Sequence, residues 1–429
     1  MLAALGLLIV FGFMVLIMTK KASPFIALVL VPLLVAIVAG AMNIGGIEVS
    51  KIAKYAIAGI VSNEELGIKG VAGTAVMLLF AILYFGLMLS AGLFSPLSNW
   101  IIRRVKGDPM KVLIGTAILA LFVSVDGDGS TTTLVVCSAM IPIYKRLNMK
   151  MMDLAVLIIL ANSIMNLLPW GGPTARIITA LHVDEGALLR AILPGMVLAS
   201  IWVVVVAFIR GVSERKRLGI VNLSDSDIEQ MLTKQDEEEK ALARPHLLWV
   251  NFFLTAILMV ILIFGGTWVI PKVSSALIFL VGIAIAFVIN YPKPSDQRLI
   301  VEKYGSSAVQ VIFMVLAAGV FMGILGGTGM SNAMGEALAT WIPERFGAHW
   351  PLIVALVSVP GTFVLSNDAF YLGVLPVLNQ VGIAYGFTPM DIAIASTAGQ
   401  AFHLLSPLVG FIYTNRTQNI LQYPYGILN

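Results

Sequence analysis

Charge is scarce in this chain of 429 residues: 27 Lys or Arg and 23 Asp or Glu make up only 12% of it, about half the share of a soluble globular protein. Cysteine is nearly absent. The single Cys137 excludes an internal disulfide and any cysteine-based metal cluster. What fills the sequence instead is apolar: 59% of residues are hydrophobic and the mean hydropathy is +0.95. Repeated apolar runs of bilayer-crossing length exclude a water-soluble enzyme and any disordered or fibrous class. They describe an all-α polytopic membrane protein. The net charge of +4 is no sign of nucleic acid, because the basic residues lie in short loops between apolar runs, where they set orientation.

Fourteen of the charged residues fall between Gly211 and His246, which predicts a charged cytoplasmic linker over residues 211–246. Apolar spans are expected at Ser23 to Ile44, Val71 to Leu93, Ala187 to Arg210, Leu247 to Ile270, Ser274 to Asn290 and Ser306 to Gly327, each able to cross about 30 Å of hydrocarbon as helix. Met1 to Met18 is apolar from its second residue, carries no basic leader, and reads as a retained first span. Four longer regions are interrupted by polar or helix-breaking residues. Val112 to Tyr144 is broken at Asp126-Gly127-Asp128-Gly129-Ser130, and Met152 to Leu181 at Pro169-Trp170-Gly171-Gly172-Pro173. Trp350 to Tyr385 is broken at Ser366-Asn367-Asp368, and Met390 to Leu421 around Ser406-Pro407.

These breaks coincide when the halves are overlaid at an offset of 238: Met152-Asp153 falls on Met390-Asp391, Pro169 on Pro407, and Asp128-Gly129-Ser130 on Ser366-Asn367-Asp368. An internal duplication follows, with residues 1–210 and 247–429 as the two repeats. Placing the loop after the first span inside collects nineteen basic residues there and leaves six outside, as the positive-inside rule requires. That balance holds only if Val112 to Tyr144 and Trp350 to Tyr385 are re-entrant hairpins opening to opposite faces. The repeats are then inverted, each with one re-entrant helical hairpin and one broken helix, the plan of a secondary transporter. A break in a membrane helix frees backbone groups, and these are tolerated only where they are buried in protein or line a wet cavity.

The strings Val125-Asp126-Gly127-Asp128-Gly129-Ser130-Thr131-Thr132, Leu168-Pro169-Trp170-Gly171-Gly172-Pro173-Thr174-Ala175-Arg176, Leu365-Ser366-Asn367-Asp368-Ala369-Phe370-Tyr371 and His403-Leu404-Leu405-Ser406-Pro407-Leu408 resemble the citrate/divalent-metal:proton symporter family. The resemblance runs in order along nearly the whole chain. That family is similar in plan to the sodium/dicarboxylate symporters, in which the hairpin tips bind sodium and a substrate carboxylate. It implies an elevator mechanism, with hairpins and broken helices as a moving domain and the other spans as a dimerising scaffold in the cell (inner) membrane.

Candidate substrate-binding residues are Ser130, Thr131, Thr132, Gly171, Gly172, Thr174, Arg176, Ser366, Asn367, Ser406 and Pro407; candidate metal or proton-coupling residues are Asp126, Asp128, Asp368 and His403. An ionisable side chain at mid-bilayer costs at least about 2.5 kcal/mol, so three acids at two tips point to function, although each could also stitch a tip together as a neutral acid. Ser130, Thr131, Thr132, Ser366 and Asn367 have a second reading as helix caps. Arg176 either holds a substrate carboxylate or snorkels to the interface. His403 is either a packed core histidine or a proton carrier. Arg416 reads as an interfacial anchor.

Two transport readings and one enzyme reading compete. The leading one is a proton-coupled symporter of citrate complexed with Mg²⁺ or Ca²⁺, with no permanently bound cofactor: tip carboxylates repel a bare tricarboxylate but suit a hard divalent cation. A sodium- or proton-coupled carrier of another organic acid is the second. An intramembrane hydrolase built on Ser130 or Ser406 with His403 and Asp128 is the third, and it accounts for neither the duplication nor the second hairpin.

Overall fold

The computed structural model describes residues 1–105, 107–127, 129–220, 242–268 and 270–403, and among these there are helices and no β-sheet. The first half contains α1 (Leu2–Met18), α2 (Pro24–Ala41), α3 (Val49–Val61), α4 (Ala72–Ser90), α5 (Ser95–Val105), α6 (Pro109–Val123), α7 (Gly129–Arg146), α8 (Met151–Met165), α9 (Gly172–Leu181) and α10 (Glu185–Leu218). The second contains α11 (Leu248–Phe264), α12 (Ser275–Asn290), α13 (Pro294–Gly327), α14 (Met330–Trp341), α15 (Trp350–Val364), α16 (Leu375–Ala384) and α17 (Pro389–Ser396). Six helical stretches of the described residues are long and apolar enough to cross a membrane.

Caps set where several of these helices begin. Ser23 Oγ accepts the Ile26 N–H at 3.3 Å ahead of α2, Asp108 accepts the Met110 N–H at 3.1 Å ahead of α6, and Thr388 with Asp391 closes a reciprocal box at the start of α17. Two helices outrun their expected spans. α10 reaches back to Glu185 and on to Leu218, so the first eight residues assigned to the linker are helix. Their charge is absorbed by pairing: Glu214 is 2% exposed and is held by Arg217 at 2.7 Å and Lys150 at 3.6 Å. α13 starts at Pro294, twelve residues before the predicted Ser306. Its polar first turns carry the Arg298–Glu302 pair at the i,i+4 spacing that supports an exposed helix.

α13 packs against α2, α3 and α4, and α4 against α12. The α3–α13 contact is backbone to backbone. A Cβ on Gly59 would lie 2.0 Å from Gly319 O, and one on Gly323 2.3 Å from Tyr55 O, so only glycine permits the approach. Polar side chains tie α11 to this group: Asn251 and Asn290 exchange two 2.8 Å amide bonds, and the Tyr84 hydroxyl lies 2.8 Å from that of Thr255.

The remaining elements surround two helical hairpins. α6 and α7 pack against each other, with the Thr116 and Tyr144 hydroxyls 3.2 Å apart across them. α15 returns through Leu365 to Asp368, a π-helical turn at Ala369–Val374, and α16. Trp350 Nε1, at the start of that second hairpin, donates to Leu378 O at 2.9 Å, and a Cβ on Gly361 would touch the Phe370 ring at 2.5 Å, so the two arms meet along their length. α10 lies along α6 and α8 and is fastened to them by two further acids: Arg210 to Asp153 at 2.6 Å and Arg215 to Asp108 at 2.8 Å. Asp153 and Asp108 are each 3% exposed.

At the far end of α9 the chain turns through His182 in the left-handed region (φ 50), and Asp184 caps α10 by accepting the Ala187 N–H at 2.8 Å. Burial, assisted by Lys69, pushes the His182 imidazole down to about 4, so it stays neutral. Burial acts to raise the Asp184 carboxyl, but the Lys272 ammonium and the capping N–H outweigh it and hold it below its usual range.

Candidate functional site

The first hairpin tip is a single 3-10 turn, Ser124–Asp126, reversed by Gly127 at φ 78. It rests on the break between α8 and α9. Trp170 Nε1 donates to Val125 O at 2.8 Å, and a Cβ on Gly127 would come within 3.1 Å of Gly171 Cα. Trp170 is itself clamped, stacked on Phe85 with ring centroids 5.0 Å apart and edge-on to Phe279 at 5.3 Å. The break is closed by Thr174, whose hydroxyl donates to Asn166 O at 3.0 Å. Gly171 is required there, because a Cβ would lie 2.3 Å from that same oxygen.

The second tip has a different chemistry. Ser366 Oγ accepts the Ala369 N–H at 3.2 Å, the capping role open to it from sequence. Asn367 Oδ1 is buried with no hydrogen-bond partner among the described residues. Asp368 leads into the π-helical turn, a wider coil often found at functional sites.

Arg176, one turn into α9, joins the two halves. Its Nε donates to Asp368 Oδ1 at 2.6 Å and its Nη1 to Gly172 O at 2.7 Å. Both charged side chains are mostly buried, 21% and 17% exposed, so Arg176 does not snorkel. It also lines a cavity with Gly172, Ala175, Thr179, Val311, Met314, Val315 and Leu372, whose free volume of about 10 Å³ is what one water occupies.

His403 is buried and lies close enough to feel the charges of both Arg176 and Asp368. Its Nδ1 is 2.7 Å from Thr362 O on α15. A carbonyl only accepts, so Nδ1 carries the hydrogen and Nε2 is left as the basic nitrogen.

The structure therefore brings Gly172, Arg176, Ser366, Asn367, Asp368 and His403 to one place, with Thr174 and Gly171 shaping the break beside it. Asp126 is half-buried at the first tip; on α7 Thr132 is buried, Thr131 half-buried and Ser130 exposed. Asp128, Ser406, Pro407 and Arg416 lie outside the described residues. Among the described residues no three His, Cys, Asp or Glu side chains converge as a ready-made metal site. Sequence reading gave no role to Trp170, Thr362 or Tyr371. The Tyr371 hydroxyl donates to Ser396 O at 3.2 Å and accepts from Gln400 Nε2, binding the second hairpin to the helix that precedes His403. An aromatic donor within an otherwise apolar span was the available signal.

Helical hairpins with polar tips, a broken helix and a charged pair between them, set in a bundle of membrane-crossing length, have the build of a secondary transporter. The chain belongs to the CitMHS citrate transporter family, whose profile matches residues 13–399. It is 42% identical to the citrate transporter of Bacillus subtilis strain 168 over 414 residues, covering 96% of this chain and 91% of that one. It is also 42% identical to the Mg(2+)/citrate complex secondary transporter of the same organism over 412 residues, covering 95% and 89% respectively. In fold it is similar to the crystal structure of the YdaH transporter of Alcanivorax borkumensis, with a TM-score of 0.58 at 14% identity over 94% of this chain and 91% of that one. The protein is a membrane transporter and not an enzyme.

Proposed function

We propose that the protein imports citrate as its complex with a divalent cation, Mg²⁺ or Ca²⁺, coupled to protons and carried by an elevator motion. The observation that carries this reading is the Arg176–Asp368 pair, a cation and an acid in direct contact at 2.6 Å inside the membrane-crossing bundle. An intramembrane charge pair is expensive to keep and marks a transport path. The name of the Mg(2+)/citrate relative supports the cargo. Arg176 suits a citrate carboxylate, which a guanidinium can meet with two hydrogen bonds. Asp368 and the unpartnered Asn367 Oδ1 offer oxygens to a hard divalent ion, whose remaining positions citrate and water fill. The metal is cargo here and not a resident cofactor.

Asp126 and Asp128 would meet the cation from the first tip, and His403, with Nε2 as its basic nitrogen, would carry the coupled proton. A metal–citrate complex bears about one net negative charge, which is far cheaper to desolvate than three. In this reading residues 1–210 and 247–429 are inverted repeats, the 211–246 segment faces the cytoplasm, and the protein works as a homodimer in the cell membrane. The test is uptake of labelled citrate by proteoliposomes with and without Mg²⁺ or Ca²⁺ and with and without an imposed proton gradient. Uptake should rise with the cation and stop on chelation. Uptake indifferent to chelation would make the protein a carrier of free organic acids instead.

A further inference from the structure

We infer that the Arg176–Asp368 ion pair is the group the cargo displaces, so that the carrier selects the metal–citrate complex and rejects citrate or the metal ion offered singly. This rests on the function proposed above. The two residues are 192 positions apart, one on the broken helix of the first half and one on the hairpin tip of the second. Arg176 Nε and Asp368 Oδ1 are in direct contact at 2.6 Å, and the cavity that Arg176 lines beside the pair has the volume of one water. A citrate carboxylate and a cation can come between the guanidinium and the carboxylate only if that contact opens.

Each single ion opens it at a loss. Citrate without metal would take Arg176 and leave the Asp368 carboxylate, 17% exposed, unpaired beside new negative charge. A dication without citrate would take Asp368 and leave the Arg176 guanidinium, 21% exposed, unpaired beside new positive charge. The complex supplies both replacements. A carboxylate of citrate takes the place of Asp368 against Arg176, and the metal takes the place of Arg176 against Asp368. Each charge of the pair faces an opposite charge before and after, so neither is stranded, and the one net negative charge of the complex is left for the coupled proton to offset. The surroundings fit such an exchange. Gly172 O, now bound by Arg176 Nη1, is freed when the guanidinium turns, and Asn367 Oδ1 stands beside Asp368 as a neutral oxygen for the cation. When the cargo leaves, the pair closes again and the empty carrier returns with a neutralised site.

The alternative is a static clamp, in which the pair only joins the two halves. Single-charge variants separate the two. Purified full-length protein is titrated calorimetrically with Mg–citrate, with citrate in EDTA, and with MgCl₂ alone. Wild type should bind the complex at least about tenfold more tightly than either component, the worth of one charge-assisted contact. Asp368→Asn should bind citrate in EDTA as well as it binds the complex, and Arg176→Gln should bind Mg²⁺ without citrate. Arg176→Lys and Asp368→Glu keep both charges and should keep the preference for the complex, which shows that a lost preference does not come from misfolding. Single variants that elute as folded protein yet gain no affinity for the separate ion would overturn the exchange and leave a clamp. A wild type that binds citrate equally well in EDTA would overturn it too. A wild type that binds neither citrate nor its complex would instead remove the proposed function, and the exchange with it.

Discussion

A histidine buried in a membrane protein has few ways to satisfy both ring nitrogens, and His403 satisfies one of them with a backbone carbonyl. The 2.7 Å contact to Thr362 O consumes the Nδ1 hydrogen, so any proton that His403 gains must be gained at Nε2. Thr362 is on the incoming arm of the second hairpin and Asp368 is at its tip, so that proton would be felt by the element that holds the acid. His403→Asn keeps an amide N–H at the Nδ1 position for Thr362 but cannot titrate. It should leave affinity for Mg–citrate within about threefold of wild type while removing the rise of uptake with external acidity, because gain and loss of a proton by the imidazole is what would couple the two. A pH profile identical to that of wild type would return His403 to packing. Sequence alone left His403 undecided because its surroundings are set by a residue 41 positions away. Arg176 is assigned to the site from sequence, but its partner is not, because Asp368 lies in the other half of the chain. Ser366, by contrast, was legible as a cap, since its partner is three residues on.

The elements that sequence located best are those whose apolar run alone fills the bilayer, such as α2, α4 and α12. Those it passed over are shorter and two-faced. α5 buries Ile101, Ile102 and Val105 while exposing Arg103 and Arg104, and α3 buries Ile52 and Ala56 between exposed Lys51 and Lys54. Such helices look like loops to a reading based on spanning length, because their charge lowers the average even though one face is apolar. The hairpins were legible for a geometric reason: 33 residues from Val112 to Tyr144 as one straight helix would run about 50 Å, well beyond the hydrocarbon. Which faces the hairpins open to is a separate matter and can be read chemically. Cysteines at Arg104 and Lys145, in a background lacking Cys137, should both react with an impermeant thiol reagent from the cytoplasmic side, and cysteines at Ala348 and Ala384 only from outside. Labelling of Arg104 and Lys145 from opposite faces would make the first hairpin a full crossing and end the inverted-repeat proposal.

At the scale of the whole molecule, two kinds of seam run through the bundle, and they differ in whether they can slide. The α3–α13 seam interlocks through Gly59, Gly319 and Gly323 with no side chain between the backbones, and α11 and α12 are pinned by the buried Asn251–Asn290 amides. α10 is pinned to the first hairpin and to α8 by buried Asp108 and Asp153, and removing Arg215 or Arg210 would strand a buried acid. Between these groups, α9 faces α13 across the small cavity lined by Ala175, Thr179, Val311, Met314 and Val315, largely apolar side chains. An apolar face can be exchanged for the next one along a helix with little loss, whereas an interlocked backbone or a buried ion pair cannot. If transport moves the hairpins and broken helices as one body past α13, this seam is where the motion occurs. A cysteine pair at Ala175 and Val315, bridged by a short bis-thiol reagent in a background lacking Cys137, should then stop citrate uptake in proteoliposomes, and reductive release of a cleavable bridge should restore it. A bridge between α3 and α13, at Tyr55 and Gly327, should leave uptake intact, because that seam belongs to the static body. Undiminished uptake by protein fully cross-linked between α9 and α13 would exclude an elevator that slides along this seam.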